Sequence, residues 1–384
     1  MDVDTEKEEV EVRLSYKGRL APCPISGESL PLYDHRSLRR WRHLDTLQYK
    51  TYLSCQVPRV MTAEGVRSIR VPWAGENERH TYLFEGLAID LLQATKNQTQ
   101  TAKLLRCGFD VVNRIIHRSV RRGLSRRHAE KVYRHLSLDE KSFRKGQNYV
   151  SVLSDPEAGH VIDLVEDRKK KDAIELILAS VAPSCRRRVE TVTTDMWKAY
   201  MGAINDTLPT AKLVHDRFHL IKYLNEGVDK VRRREVKGEQ ELKNTRFMWL
   251  KNRMSLTDRQ KITFEHLTKA NYEVSRAWRI KENFRSLMGR PDVGDAYGML
   301  MDWCAQTRRS GIREMIKVSD MFLSHMSGVA NAMVESVSNA MAERLNGKIQ
   351  LVKTTARGYR TFKNYRSAVL FFNGGLSLYP HDNR

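Results

Sequence analysis

Between residues 136 and 216 the spacing of apolar positions alternates between the two-residue period of a strand and the longer period of a helix. His135–Asp139 alternates apolar with polar, and Asn148–Leu153 and His160–Val165 flank a Ser154–Gly159 turn, so three strands are predicted, the last two a hairpin. Lys171–Ala179 has helical spacing, Val189–Thr194 reads as a strand, Met196–Ile204 as a helix and Ala211–His215 as a final strand. The predicted order is βββαβαβ. A right-handed crossover then sets the fourth strand beside the first and parallel to it, in a mixed sheet.

Asp139 and Asp195 close two strands that this order makes neighbours. Two carboxylates so placed cannot both stay ionised cheaply without a cation, and hard divalent ions such as Mg²⁺ take oxygen ligands. The pair predicts a metal site, although either aspartate alone would be read as a helix cap. A third carboxylate is expected from a helix over Ser338–Lys353, where Met341, Leu345, Ile349 and Val352 recur at helical spacing after a Ser338 or Asn339 cap. Glu343 is the candidate, sharing a face with Asn346; Glu335, before the cap, is the competing acid.

Asp195 and Glu343 stand 148 positions apart, far more than adjacent core elements need, so an insertion is expected between the last strand and the third carboxylate. Leu220–Arg234 and Leu256–Leu287 lack strand alternation, which makes the insertion helical. Trp249 within it is a candidate for stacking on an extruded DNA base, against the plainer reading of a core residue. Asp216 and His219 follow the last strand, where they either support the metal site or cap and pack a helix.

Upstream, residues 81–122 read as three short helices: Thr81–Ala94, one starting at Asn97, and a third capped by Asp110 and packed through Val112, Ile115, Ile116 and Val120. That is helix-turn-helix spacing. The third helix is expected to present Asn113, Arg114, His117, Arg118 and Arg121 to a DNA major groove. Residues 1–75 are expected to form a small β-rich module, with Tyr49–Val57 as a strand and Trp41 and Trp73 as its packing.

The 384 residues, 41% apolar, are enough for several domains with real cores. A net charge of +21, concentrated in runs such as Arg186–Arg188 and Arg232, Arg233 and Arg234, makes a polyanion the expected partner. No apolar run reaches membrane-spanning length and no charged-then-apolar leader is present, so a cytoplasmic protein without a membrane partner is expected. The five cysteines are scattered and odd in number, which fits reduced thiols.

These residues together resemble the DDE transposases of the ISL-three group of bacterial insertion sequences. The resemblance rests on Tyr33–Arg36 with Trp41–Asp45, Val57–Val60, Val71–Ala74, Asp139–Gly146, Asp195-Met-Trp197, Asp216-Arg-Phe-His219, Trp249–Asn252, the Ser338–Lys353 helix and Ala356–Arg360, and covers nearly the whole chain. It implies an RNase H-like sheet at 131–220 and 331–384, a helical insertion at 221–330 and a helix-turn-helix domain at 76–130. It implies Asp139, Asp195 and Glu343 as catalytic metal ligands for two Mg²⁺ or Mn²⁺ ions, which activate water or a 3′-hydroxyl and stabilise the leaving oxygen. Double-stranded DNA follows as the partner, both terminal inverted repeats and target, with Lys348, Lys353, Arg357 and Arg360 as a clamp, a dimer or larger assembly, and nucleoid association. Family relatives open with a zinc module on C-P-x-C spacing; here Cys23-Pro-Ile-Ser26 breaks it, leaving Cys55, His35 and His43 as poor substitutes, so zinc is not expected. A catalytically inactive DNA-binding regulator and a structure-selective RNase H-like nuclease are the alternative functions.

Overall fold

The computed structural model describes residues 1–144, 149–251, 255–288, 293–334 and 339–380, the side chains of 293–294 and 339–343 excepted. The chain divides into two compact units, one made of residues 1–127, 354–357 and 370–384, the other of residues 128–353 and 358–369.

The first unit opens with eight strands: β1 (Asp2–Asp4), β2 (Glu9–Leu14), β3 (Leu20–Pro22), β4 (Ser29–His35), β5 (Arg39–Arg42), β6 (Lys50–Cys55), β7 (Pro58–Thr62) and β8 (Gly65–Ser68). They form two four-stranded sheets, ordered β1-β2-β6-β5 and β3-β4-β7-β8. The expected strand at 49–57 is β6, and Trp41 and Trp73 meet edge to face at 5.6 Å over the small core. Helices α1 (Tyr82–Thr95), α2 (Gln98–Leu104) and α3 (Phe109–Arg126) follow, the first two starting where the sequence predicts. Thr81 and Asn97 cap the first two by accepting from Phe84 and Gln100 N–H groups. The third begins instead after Gly108, with no side-chain cap; Asp110 sits inside its first turn, where a carboxylate still favours the helix dipole.

The second unit is built on β9 (His135–Ser142), β10 (Tyr149–Asp155), β11 (His160–Glu166), β12 (Thr191–Thr194) and β13 (Lys212–His215), with α4 (Lys170–Ser180) and α5 (Lys198–Thr207) in the crossovers. The sheet order is β11-β10-β9-β12-β13, antiparallel on the hairpin side and parallel across β9, β12 and β13. The strand order and the central place of β9 are those predicted. Leu136, Leu138, Ile162 and Val192 point to one face, where they close a core with Ala173, Ile177 and Ala203 of α4 and α5. Alternation sends Asp139 and Asp163 to the other face. There Asn346 and Lys353 of α13 (Asn339–Thr355) bond β9, and Arg366 of α14 (Phe362–Asn373) bonds Asp163 at 2.6 and 2.7 Å.

Between β13 and α13 the chain is helical, as expected: α6 (Arg217–Glu235), α7 (Arg246–Leu250), α8 (Asp258–Lys269), α9 (Glu273–Leu287), α10 (Val293–Arg309), α11 (Arg313–Ser324) and α12 (Met326–Val334). Their core joins the sheet through Met196 and Val214. Helix α12 lies against β13, tied by Asn331 Nδ2 donating to Leu213 O at 2.9 Å. Gly328 makes that approach possible: a Cβ there would stand 2.6 Å from the His215 ring.

Candidate active site

Leu138 of β9 pairs with Thr194 of β12 in parallel register, so Asp139 and Asp195 are the next residues on adjacent strands. Hydrogen bonds fix both. Asp139 Oδ1 accepts from the Glu140 N–H at 2.7 Å, and its Oδ2 from Lys141 Nζ at 2.6 Å and Asn346 Nδ2 at 3.2 Å. Asp195 Oδ1 accepts from the Trp197 N–H at 2.9 Å. Burial raises the pKa of Asp195; the Trp197 hydrogen bond and His219 oppose the shift, while Asp139 and Glu140 add to it. Asp139, Glu140 and Asp195 are thus near one another on and just beyond the adjacent strands β9 and β12. Tyr200 is buried behind them, its hydroxyl 2.8 Å from Ser151 Oγ and its ionisation pushed up by burial.

Helix α13 is the element expected to carry the third carboxylate. Asn346 reaches Asp139, and Glu343 is three residues earlier on the same helix. The Glu343 side chain and the competing Glu335 lie outside the described residues. Among the described residues no three His, Cys, Asp or Glu side chains are grouped to hold a metal ion. The donor type fits a hard cation nonetheless: Asp139 and Asp195 offer carboxylate oxygens from adjacent strands, and Asp139 already draws the Lys141 ammonium and the Asn346 amide. Asp216 caps α6, accepting from the Phe218 N–H at 2.8 Å, and His219 is the member of the Asp-x-x-His pair that acts on Asp195.

Other expected contacts fall differently. Trp249, expected as a base-stacking platform, is completely buried, its indole N–H donating to Thr245 Oγ1 at 3.0 Å and its ring edge-on to Phe264 at 5.1 Å. It is a core residue, because helices that pack all round it leave no face for a base. Arg118, expected to face outward from α3, is held by Glu78 and by the buried Glu85, whose Oε2 accepts from Arg118 Nε at 3.0 Å. Arg114 and Arg121 are exposed, with Asn113 and His117 half-buried beside them. Arg232 and Arg233 both donate to the buried Asp229, and Arg234 pairs with Glu273 and Glu314, so these charges have partners inside the insertion. Lys348, Arg357 and Arg360 are exposed, while Lys353 Nζ donates to Ser142 O at 2.6 Å. Cys23 Sγ receives the Ser26 N–H at 3.5 Å in the turn between β3 and β4, and Cys55 packs with Trp41 and Val57.

Residues 136–369 match the transposase domain of the DDE type in family ISL3, and residues 69–120 match the helix-turn-helix domain of that family. The chain belongs to transposase family ISL3. It is 24% identical over 348 residues to the transposase for insertion sequence element IS1001 of Bordetella parapertussis, covering 88% of this chain and 85% of the relative. A transposase for element IS1557 of Mycobacterium tuberculosis is 23% identical over 373 residues, covering 89% and 83% of the two chains. The helix-turn-helix match spans α1, α2 and most of α3, and the transposase match runs from β9 into α14. No helix among the described residues is long and apolar enough to cross a membrane.

Glu140, Lys141, Trp197 and Arg168 also belong to this place and were not predicted from the sequence. Glu140 was masked by its position in an alternating strand, and the others join the site only through folded contacts. Arg168 Nη1 donates to Glu140 Oε2 at 2.9 Å.

Proposed function

We propose that this ISL3 transposase cuts DNA at the terminal inverted repeats of its insertion sequence and joins the ends to a target. The sheet takes an RNase H-like role, with Asp139, Asp195 and Glu343 as its catalytic carboxylates. The observation that carries this reading is the adjacency of Asp139 and Asp195 one register beyond Leu138 and Thr194, with Asn346 bringing the Glu343 helix onto Asp139. Divalent ions, Mg²⁺ or Mn²⁺, when bound by these carboxylates would supply Lewis-acid activation of a water or 3′-hydroxyl and stabilise the leaving oxygen. The protein's own part is to orient the oxygens: Trp197 N–H fixes Asp195, and Asn346 and Lys141 fix Asp139.

Residues 76–130 select the repeats through Arg114, Arg121, Asn113 and His117, while exposed cations such as Lys348, Arg357 and Arg360 hold phosphates. Asp216 and His219 support the carboxylates. Two ends must be joined, so the active species is a dimer or larger assembly acting on DNA in the cytoplasm. The positioned carboxylates favour this reading over an inactive regulator.

Asp139→Asn, Asp195→Asn and Glu343→Gln should each reduce metal-dependent cleavage of repeat DNA to background while leaving repeat binding nearly intact, with Glu335→Gln active. Near-normal cleavage by any of the first three would remove that residue from the catalytic set.

A further inference from the structure

Trp197 stands two residues after Asp195 and is tied to it, since its backbone N–H holds Asp195 Oδ1. Its indole is also fixed in place. Nε1 donates to Arg168 O at 3.3 Å, and the Arg168 guanidinium carbon lies 4.9 Å from its ring centroid and 4.3 Å from that of Tyr149. Arg168 is itself anchored on Glu140, the residue beside Asp139. Despite these contacts Trp197 is 43% exposed, whereas Trp41 and Trp249 are wholly buried. A cation and an edge hydrogen bond thus immobilise the ring beside Asp195 while nearly half of it stays open, where a planar partner would bury apolar surface and stack.

We infer that Trp197, braced by Arg168, is the platform on which an unpaired nucleobase at the DNA end stacks. The stack sets the adjoining phosphate against Asp195. The partner's class follows from the ring: every base offers a π-face, so the site reads unpaired state rather than base identity. Trp197 is a positioning residue here, because it works through Asp195 and the DNA backbone. The inference rests on the DNA cleavage reading above.

The test uses the full-length protein in Ca²⁺ and three versions of the repeat that flanks its coding sequence: fully paired, with the terminal nucleotide mismatched, and with that nucleotide abasic. Wild type should bind the mismatched end more tightly than the abasic one by roughly 5- to 150-fold. Trp197→Leu, which keeps an apolar side chain without a ring face, should bind the two equally, and Trp197→Phe should keep part of the preference. In Mg²⁺, Trp197→Leu should cut the paired end more slowly and regain most of the loss on the abasic end, where no base needs a seat. A 5-iodouracil at the terminal position should cross-link to Trp197 in wild type. Equal binding of mismatched and abasic ends by wild type, or an equal loss on both in Trp197→Leu, overturns the inference. Failure of the wild type to bind or cut any repeat DNA would instead overturn the cleavage reading.

Discussion

The carboxylates on the two central strands and the helical insertion that follows them treat charge differently. On β9 and just after β12, burial raises the pKa of Asp195, and the nearby Asp139 and Glu140 add to the rise although Lys141 and Arg168 pair with them. In the insertion nearly every noted charge is answered within its own helices: Asp229 by Arg232 and Arg233, Arg308 by Asp320, and the buried Lys281 by the Trp249 carbonyl at 2.6 Å. Lys281 is kept there at a cost that lowers its pKa to about 8, chiefly through burial. The tryptophans follow the same division, Trp249 sealed and Trp197 open. A run of arginines in a sequence does not reveal which kind of region it belongs to.

The sharpest way to break this contrast is at the two tryptophans. Trp249→Ala empties a sealed site and should destabilise the second unit by about 3–5 kcal/mol, read by denaturant melts. Trp197→Ala should cost far less stability. A Trp249→Ala protein with unchanged melting would mean the insertion core is not organised as described.

The arginines allow a second test of intermediate size. Arg114→Ala should narrow the difference between repeat and random DNA by roughly 1–3 kcal/mol if it reads a base. Replacing Arg232 and Arg233 should instead lower stability, by leaving the buried Asp229 with less counter-charge, and leave the salt dependence of DNA binding unchanged. A flattened salt dependence in that variant would return those arginines to the DNA.

The smallest effect concerns Asp195. Its carboxyl has a raised pKa in the folded chain, so its ionisation opposes folding: the stability present below the unfolded pKa is lost as pH rises through the folded one. At neutral pH Asp195→Asn should therefore be more stable than wild type by roughly 0.5–2 kcal/mol while inactive. The gain should vanish in acid, and Mg²⁺ should raise the melting temperature of wild type more than that of the variant. A destabilised Asp195→Asn would show the carboxylate to be structural.

Much of this was legible in the sequence because local period and strand order are written in nearest neighbours. His135–Asp139 alternates, the hairpin turn is marked at 154–159, and a right-handed crossover leaves little choice about which strand adjoins β9. The buried face of α3 was equally plain in Val112, Ile115, Ile116 and Val120. What the sequence hid were partners distant along the chain. Glu85 neutralises Arg118 from 33 positions away, Phe264 covers Trp249, and Arg168 turns Trp197 from a strand-end aromatic into a braced one. The Asp110 cap failed for a smaller reason: the backbone begins its helix a residue before it, after a glycine with no side chain to offer.

The discontinuity of both units has a consequence for synthesis. Asn346 and Asp139 are 207 positions apart, so a ribosome adding roughly 5–20 residues per second needs on the order of 10–40 s to deliver the second after the first. The first unit waits longer still, because Arg122 Nη1 donates to Leu378 O at 2.5 Å, Tyr379 bonds Asp90 at 2.5 Å, and Gly123 leaves room for Leu376. A nascent chain released before residue 346 therefore lacks the hydrogen bond that Asn346 gives Asp139, and one released before residue 378 lacks the bonds that tie this segment to α1 and α3.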